Sequence, residues 1–276
     1  MAQVPVGDVR LHYEETGEGE PLVLVHGSWN DHRSWAAAIE ADLRAAFRVV
    51  AYDRRGHGRS EAARGPGSRR QDEDDLAALI EVLGLGPAHV AGNSFGASIA
   101  VGLAARRPEL FRSLVLHEPP LTALVGDDPA AQAALRPAAA TIEEVLALLR
   151  DGQDAAGARL FVEDVALGPG AWAALPEAVQ DTFVSHAQTW RDEQEDPDWA
   201  RLDLTALGSC TAPVLLSHGT GSPVWFAAVL DRLAAALPRA RRHTFQGAGH
   251  IPHMTHPRAY AALVTAFCRG DRDTSP

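Results

Sequence analysis

One serine, Ser94, stands in the run Gly92-Asn93-Ser94-Phe95-Gly96, and its surroundings favour a role as nucleophile. The apolar run 88–91 before it predicts a buried strand, and the small and apolar residues 97–106 predict a helix. A strand that turns sharply into a helix holds the serine in a strained conformation, and a Cβ on either flanking glycine would collide with its neighbours. The turn lifts the hydroxyl above the sheet and directs the N–H of Phe95 at a developing oxyanion. A glycine-rich turn without chemistry is the alternative, but the flanking strand and helix favour catalysis.

A histidine, His250, stands where a base for this serine is expected. It follows the last predicted strand in a glycine-rich loop, Gly247-Ala248-Gly249-His250, which allows the imidazole to reach Ser94. An imidazole titrates close to neutral pH, so it can take the hydroxyl proton and return it to a leaving group. His253 and His256 lie close by, but their spacing spans a proline and lacks an acidic partner. We therefore expect no metal site there.

Composition narrows the class of protein. The 276 residues carry a formal net charge of −11, which argues against nucleic acid and anionic membranes as partners. All 25 basic residues are arginines, so the chain has neither a Schiff-base lysine nor a phosphate-loop lysine. The two cysteines indicate no disulfide framework, and no apolar run reaches the ~18 residues of a membrane span. We expect a cytoplasmic monomer or homodimer that acts on a small molecule without a cofactor.

The elements that must position Ser94 and His250 form an alternating pattern. Buried runs that read as strands recur between helical segments, at residues 22–25, 48–52, 88–91, 113–118, 213–217 and 241–245. Strands that alternate with helices predict an α/β fold with a mostly parallel sheet covered on both faces.

The pattern changes after Pro119. From there to about Thr205 the chain is alanine-rich and helical in period, which predicts roughly three to five short helices broken at residues such as Pro137. We predict a core of residues 1–118 and 206–276 and an inserted helical cap, or lid, of residues 119–205.

Four motifs in this order resemble the α/β-hydrolase superfamily. They are His26-Gly27-Ser28-Trp29, Asp53-Arg54-Arg55-Gly56-His57-Gly58-Arg59-Ser60, the Gly92–Gly96 turn and the Gly247–His250 loop. The resemblance covers everything except the inserted cap. It implies a roughly eight-stranded sheet, a helical cap over the site and a catalytic triad in the chain order serine, acid, histidine. It also implies that Ser94 is the nucleophile and His250 the base, with His26 and His57 structural.

The acid of the triad departs from the common pattern. Relatives usually carry Asp in the turn after the strand at residues 213–217, where this chain has Ser222. Glu118 ends the strand that follows the Ser94 turn, where this chain resembles haloalkane dehalogenases and zearalenone lactonases. We predict Glu118 as the acid that orients His250. A structural Glu118 beside a Ser–His dyad is the alternative.

Oxyanion and substrate contacts follow from the same resemblance. The N–H groups of Ser28 and Phe95 are expected to form the oxyanion hole. Trp29, Trp190 and Trp225 are candidates to bind an apolar part of the substrate, with ordinary core packing as the alternative for each.

The identity of the nucleophile narrows the reaction. Haloalkane dehalogenases and epoxide hydrolases attack with Asp at this turn, whereas this chain has Ser94. A serine with oxyanion donors predicts an acyl-enzyme, and hydrolysis of a carboxylic ester or lactone is the leading interpretation. Carbon–carbon bond hydrolysis, acyl transfer to another acceptor, perhydrolysis, and a ligand-binding or cyclase protein that retains the triad remain alternatives.

Overall fold

Eight strands form one sheet in the computed structural model of the chain, which describes residues 2–62, 65–166 and 168–270. The strands are β1 (Ala2–Val6), β2 (Val9–Thr16), β3 (Pro21–Val25), β4 (Arg48–Tyr52), β5 (Ala88–Asn93), β6 (Phe111–His117), β7 (Val214–Gly219) and β8 (Ala240–Phe245). Their order across the sheet is β1-β2-β4-β3-β5-β6-β7-β8. The predicted α/β fold with about eight strands is thereby confirmed.

The sheet is mostly parallel. Strand β2 pairs antiparallel with β1 and with β4, and every other pairing is parallel. The carboxyl ends of β3, β5, β6, β7 and β8 therefore meet at one edge of the sheet, and residues that follow these strands come together there.

Helices cover both faces of the sheet. The α-helices are α1 (Ala36–Ala38), α2 (Arg44–Ala46), α3 (Arg69–Val82), α4 (Phe95–Arg106), α5 (Pro129–Arg150), α6 (Asp154–Phe161), α7 (Ala171–Ala174), α8 (Glu177–Ser185), α9 (Ala187–Glu195), α10 (Leu204–Leu207), α11 (Trp225–Ala236), α12 (Pro252–Thr255) and α13 (Pro257–Cys268). Along β3, Val23 and Val25 pack with α3, α4 and α11, whereas Leu22 and Leu24 pack with α13 on the opposite face. This alternation explains why the strand is apolar throughout.

The inserted segment differs from its prediction in one respect. Helix α5 runs for 22 residues and includes Pro137, where a break was expected. Proline lacks the N–H that would bond one turn back, but the alanines around it favour the helix strongly. The segment is also shared between two clusters. Leu121, Val125 and Ala131 pack in the main core, and Trp199 and Leu202 pack against it. A separate cluster contains Trp29 together with Val145, Leu146, Leu149, Ala158, Ala187 and Trp190. The 119–205 boundary stays a prediction.

Two glycines permit the contact between β5, α4 and β3. A Cβ on Gly92 would lie 2.6 Å from the carbonyl oxygen of Gly96. A Cβ on Gly96 would lie 2.2 Å from the carbonyl oxygen of Val25 and 2.6 Å from that of His26. All of these neighbours are backbone atoms, which cannot rotate away. Glycine at both positions therefore lets the helix begin directly against the end of β3.

We expect Gly96→Ala to lower the free energy of unfolding by roughly 1–3 kcal/mol or more, because the added methyl group must displace backbone of β3. Gly126→Ala is the matched control. Gly126 has a helical φ of −62°, and its Cβ would meet nothing closer than 3.6 Å. Denaturant unfolding of the two variants checks the difference, and equal stabilities would contradict the steric argument.

Candidate active site

Backbone strain marks the edge of the sheet where the strand ends meet. In the described part of the chain, the non-glycine residues with positive φ are Trp29 (62°), Ser94 (55°) and Glu118 (48°). Each follows the carboxyl end of one of three neighbouring strands, β3, β5 and β6. Such conformations cost about 1–3 kcal/mol each and cluster at functional sites. The strain therefore points to the same residues as the sequence motifs.

Ser94 occupies the turn between β5 and α4 with φ 55° and ψ −124°. Its N–H donates to the carbonyl of His117 at 2.9 Å, and its carbonyl accepts from the N–H groups of Ala97 and Ser98. The side chain is only half-buried, whereas its neighbours on both sides are buried. The turn thus fixes the serine backbone on every side and leaves its hydroxyl accessible, as a nucleophile requires.

Glu118 and His250 form a short hydrogen bond. Nδ1 of His250 lies 2.5 Å from Oε2 of Glu118, although the two residues are 132 positions apart. The other carboxylate oxygen accepts the N–H of Gly219, at the end of β7, at 2.8 Å. A carboxylate at Nδ1 favours the tautomer that carries its proton there, which leaves Nε2 as the basic atom. This pairing is the orientation that an acid gives to a catalytic histidine.

The environment keeps Glu118 ionised. Burial alone would raise the pKa of its carboxyl. The hydrogen bond and charge of His250, the charge of His117 and the N–H of Gly219 outweigh burial and lower the pKa to about 2. The carboxylate is completely buried, whereas the His250 side chain is 36% exposed. A permanently charged acid behind a reachable imidazole can stabilise an imidazolium.

The loop that carries His250 is fastened to the neighbouring strand ends. Asn93, beside the serine, donates from Nδ2 to the carbonyl of His250 at 2.8 Å. Gly221 donates its N–H to the carbonyl of Ala248 at 2.9 Å. A Cβ on Gly219 would lie 2.2 Å from that same oxygen, so glycine permits the approach. Asn93 therefore connects the loop of His250 directly to the turn of Ser94.

The contact between Phe226 and His250 was not predicted from the sequence. Phe226, on α11, stacks on the His250 ring with centroids 5.0 Å apart and planes at 24°. Trp225 stacks in turn on Phe226 at 3.7 Å. The position of Phe226 just after the Ser222 turn was its only signal in the sequence.

Ser222 does not take part in the triad geometry. Its hydroxyl is buried and has no hydrogen-bond partner among the described residues. The N–H of Ser222 donates to the carbonyl of Gly219, which closes the turn after β7. The end of β7 therefore contributes the N–H of Gly219, which donates to Glu118. It does so instead of contributing a carboxylate that would bind His250.

The two expected oxyanion donors lie beside Ser94. Phe95 is the first residue of α4, so its N–H points out of the helix. On the other side, a Cβ on Gly27 would lie 3.0 Å from the Cβ of Ser94, which places the turn of Ser28 against the nucleophile. The side chain of Ser28 points elsewhere, since its hydroxyl donates to Glu193 of α9 at 2.5 Å.

The three tryptophans predicted to bind substrate are buried. Trp29 and Trp190 pack against each other, with centroids 5.1 Å apart, in the cluster that joins the cap to the core. Trp225 lies in the main core cluster. Core packing, the alternative for each, therefore describes their observed contacts, and a role toward substrate stays a prediction.

The two histidines that follow His250 contact side chains of neighbouring residues. His253 packs its ring on Trp35 with centroids 4.3 Å apart, and His256 Nδ1 pairs with the hydroxyl of Thr255. A different group, Asp31, His32 and Asp53, brings its ligand atoms within 4.8 Å of one another. His32 Nδ1 already bonds Asp53 at 2.6 Å, so this cluster is internally satisfied. Separately, no described helix has the length and apolarity needed to cross a bilayer.

Comparison with known proteins agrees with this fold. The sequence matches the alpha/beta hydrolase fold family over residues 20–257, and the chain belongs to that family. It is 28% identical to the 2-hydroxy-6-oxononadienedioate/2-hydroxy-6-oxononatrienedioate hydrolase of Burkholderia vietnamiensis, over 95% of this chain and 92% of that protein. It is 27% identical to the 2-hydroxymuconate semialdehyde hydrolase of Pseudomonas sp. strain CF600, over 96% and 92%. A solved structure of an alpha/beta hydrolase from Sphaerobacter thermophilus superposes with a TM-score of 0.75 and 28% identity, over 96% of this chain and 99% of that one.

We expect Glu118→Gln to lower kcat roughly 10²- to 10⁴-fold, because an amide carries no charge to balance an imidazolium and its NH2 group can donate to Nδ1, which favours the wrong tautomer. Ser222→Ala, at the position where relatives carry the acid, is the matched control and should stay within about twofold of wild type. Steady-state ester hydrolysis, with thermal unfolding of both variants, separates lost catalysis from lost folding. An unchanged kcat in folded Glu118→Gln would leave a Ser–His dyad as the better description.

The same carboxylate predicts a pH dependence of stability. Its pKa falls from the ordinary 4.5 to about 2 on folding. A depressed pKa stabilises the folded state above the unfolded pKa, and this contribution disappears as the pH falls toward the folded pKa. The stability lost in Glu118→Gln should therefore be largest near neutral pH and shrink below about pH 4.5. Denaturant unfolding at a series of pH values checks this, and a loss that grows toward acid would have the wrong sign.

Proposed function

We propose that the chain is a serine hydrolase that cleaves a carboxylic ester or lactone of a small, largely apolar substrate through an acyl-enzyme. Ser94 attacks the carbonyl carbon while His250 Nε2 takes the hydroxyl proton, and Glu118 balances the imidazolium. The N–H groups of Ser28 and Phe95 stabilise the oxyanion. His250 then protonates the leaving group, and water attacks the acyl-enzyme by the same route in reverse.

The observation that carries the proposal is the coincidence of the strained serine with an acid-paired histidine. Ser94 has φ 55° at the start of α4, Glu118 bonds His250 at 2.5 Å, and Asn93 holds the histidine loop beside the serine. A buried ionised carboxylate that bonds an accessible imidazole is costly unless the imidazole uses the charge.

A second candidate is hydrolysis of a carbon–carbon bond beside a carbonyl. The relatives from Burkholderia vietnamiensis and Pseudomonas carry names of hydrolases of an oxo dienedioate and of a semialdehyde. These names contain no ester, so water must act at a carbon–carbon bond next to the oxo group. The same nucleophile, base and oxyanion donors serve such a reaction, provided that the leaving carbon receives a proton.

We expect Ser94→Ala to lower ester turnover by about 10⁴-fold or more, because the variant lacks both nucleophile and transferable proton. Ser98→Ala, one helical turn further on, is the matched control, because its buried hydroxyl has no partner among the described residues. Its kcat should stay within about twofold of wild type. p-Nitrophenyl esters of rising chain length provide the assay, and a fluorophosphonate probe should label wild type at Ser94 alone.

Three outcomes would decide against the leading candidate. Retention of more than about a tenth of wild-type kcat by Ser94→Ala would exclude an acyl-enzyme on this serine. Slow ester turnover combined with fast cleavage of a 2-hydroxy-6-oxo dienoate, monitored by its absorbance, would favour the carbon–carbon hydrolase. A ligand-binding protein would show one burst of nitrophenol or none.

A further inference from the structure

A carboxylate from the cap is buried against the oxyanion turn. Glu193 lies on α9, and its side chain is almost inaccessible to solvent. Oε2 accepts the hydroxyl of Ser28 at 2.5 Å, and Oε1 accepts Nη2 of Arg54 at 2.6 Å. Glu193 is thus hydrogen-bonded to two residues, Ser28 and Arg54, which lie more than a hundred positions earlier in two separate loops of the core. The triad described above does not use this group.

Arg54 extends the contact to the other side of the oxyanion hole. The guanidinium is buried, and it also donates to Asp72 of α3 from Nε at 3.2 Å and from Nη2 at 2.8 Å. Its Cζ lies 4.8 Å from the centre of the Phe95 ring, a cation–π distance. Both residues expected to supply the oxyanion N–H groups, Ser28 and Phe95, therefore have side chains in contact with one buried ion cluster.

The rest of the turn is held from within the core. The backbone N–H of Arg54 donates to Nε2 of His26 at 3.0 Å, and Nδ1 of His26 bonds the carbonyl of Gly27 at 2.8 Å. The side chain of Ser28 instead bonds the cap. The turn is therefore fastened at one end to the core and at the other to α9.

The charges make the contact with Glu193 hard to replace. Burial would lower the pKa of Arg54, but Asp72 and Glu193 outweigh it and raise that pKa. Burial raises the pKa of Glu193, and the charge of Arg54 opposes this rise. Removing one member of such a cluster leaves a buried charge with fewer partners, which is strongly destabilising. The cap is thereby held to the core at a point that contacts both expected oxyanion donors.

We propose that Glu193 is a positioning residue for the oxyanion hole, through which the docked cap aligns the N–H groups of Ser28 and Phe95. The inference rests on the proposed function. Glu193 acts through Ser28 and Arg54 and needs no contact with the substrate. A donor displaced by about 1 Å loses much of its interaction with the oxyanion, so loosening this contact lowers transition-state binding more than substrate binding.

The test compares Ser28→Ala with Glu193→Gln. Ser28→Ala removes the hydroxyl that bonds Glu193 but keeps the backbone N–H and every buried charge. Glu193→Gln keeps an acceptor for one partner and loses the charge that pairs with Arg54. We expect kcat per titrated Ser94 to fall about tenfold in Ser28→Ala and about 10- to 100-fold in Glu193→Gln, with KM within about threefold in both. Glu195→Gln is the control, because Glu195 lies on the same helix in an exposed pair with Arg150.

Two further measurements separate positioning from stability. The inhibition constant of an aryl trifluoromethyl ketone, which forms a tetrahedral adduct on serine, should rise by the factor by which kcat/KM falls. The loss of kcat in the double variant should be smaller than the product of the two single losses, because both changes weaken the contact between Ser28 and residue 193. A merely structural Glu193 predicts a lower melting temperature, with kcat per titrated site and the inhibition constant within twofold of wild type.

The outcomes are distinct. If wild type neither hydrolyses the esters nor reacts with a fluorophosphonate, the proposed function is wrong and the inference fails with it. If wild type is active and both single variants match it per titrated site, only the inference fails. Multiplying effects in the double variant would also overturn it. If Glu193→Gln does not fold, an unaffected kcat in Ser28→Ala is sufficient to reject the proposal.

Discussion

Backbone strain at the ends of three adjacent strands is the constraint on which the rest of the structure depends. Trp29, Ser94 and Glu118 hold left-handed φ values after β3, β5 and β6. Such conformations persist only where the surroundings over-determine them. Here the Gly96 backbone abuts the carbonyl of Val25, and the N–H groups of Ser94 and Glu118 donate to the carbonyls of His117 and Ser217. Each strand end thus supports its neighbour, so the cost of one bend is offset by contacts with the next.

The position of Glu118 determines which group the end of the neighbouring strand β7 contributes to the site. Glu118 directly follows β6, and the turn after β7 carries Ser222 in place of a carboxylate, while Gly219 at the end of β7 donates its N–H to Glu118. The same glycine permits the His250 loop to approach, because a Cβ would meet the carbonyl of Ala248 at 2.2 Å. Glu118, Gly219 and His250 therefore lie at or just after the ends of three neighbouring strands, β6, β7 and β8. The short distance between Glu118 and His250 follows from this arrangement.

Much of the fold was predictable from the sequence because its signals are local. The apolar run of β3 and the glycines around Ser94 each depend on neighbours within a few residues, and the structure agrees with both. Helix α5 departed from its prediction at Pro137, where the helix preference of the surrounding alanines prevailed over the single break.

The candidate site was predictable only in part. Glu118 was predicted from its place at a strand end and from the resemblance to haloalkane dehalogenases and zearalenone lactonases, because Ser222 left no acid in the usual place. The stacking of Phe226 on His250 and the contact of Glu193 with Ser28 join residues far apart in the chain, and no local pattern marks such pairs. The burial of Trp190 likewise depends on residues far apart in the chain. Its partners come from the core turn as well as from the cap, so its surroundings are set only when the two meet.

The ion cluster around Arg54 limits how far the predicted cap can be exchanged as an independent unit. Its guanidinium is neutralised from two sides, by Asp72 of the core helix α3 and by Glu193 of the cap helix α9. An inserted segment exchanged by recombination must therefore bring an acceptor at the matching place, or it leaves the buried guanidinium of Arg54 with only one of its two carboxylate partners. Cap and core are in this sense complementary halves of one electrostatic unit. Replacing the whole insert therefore requires either keeping this pair or changing both of its members together.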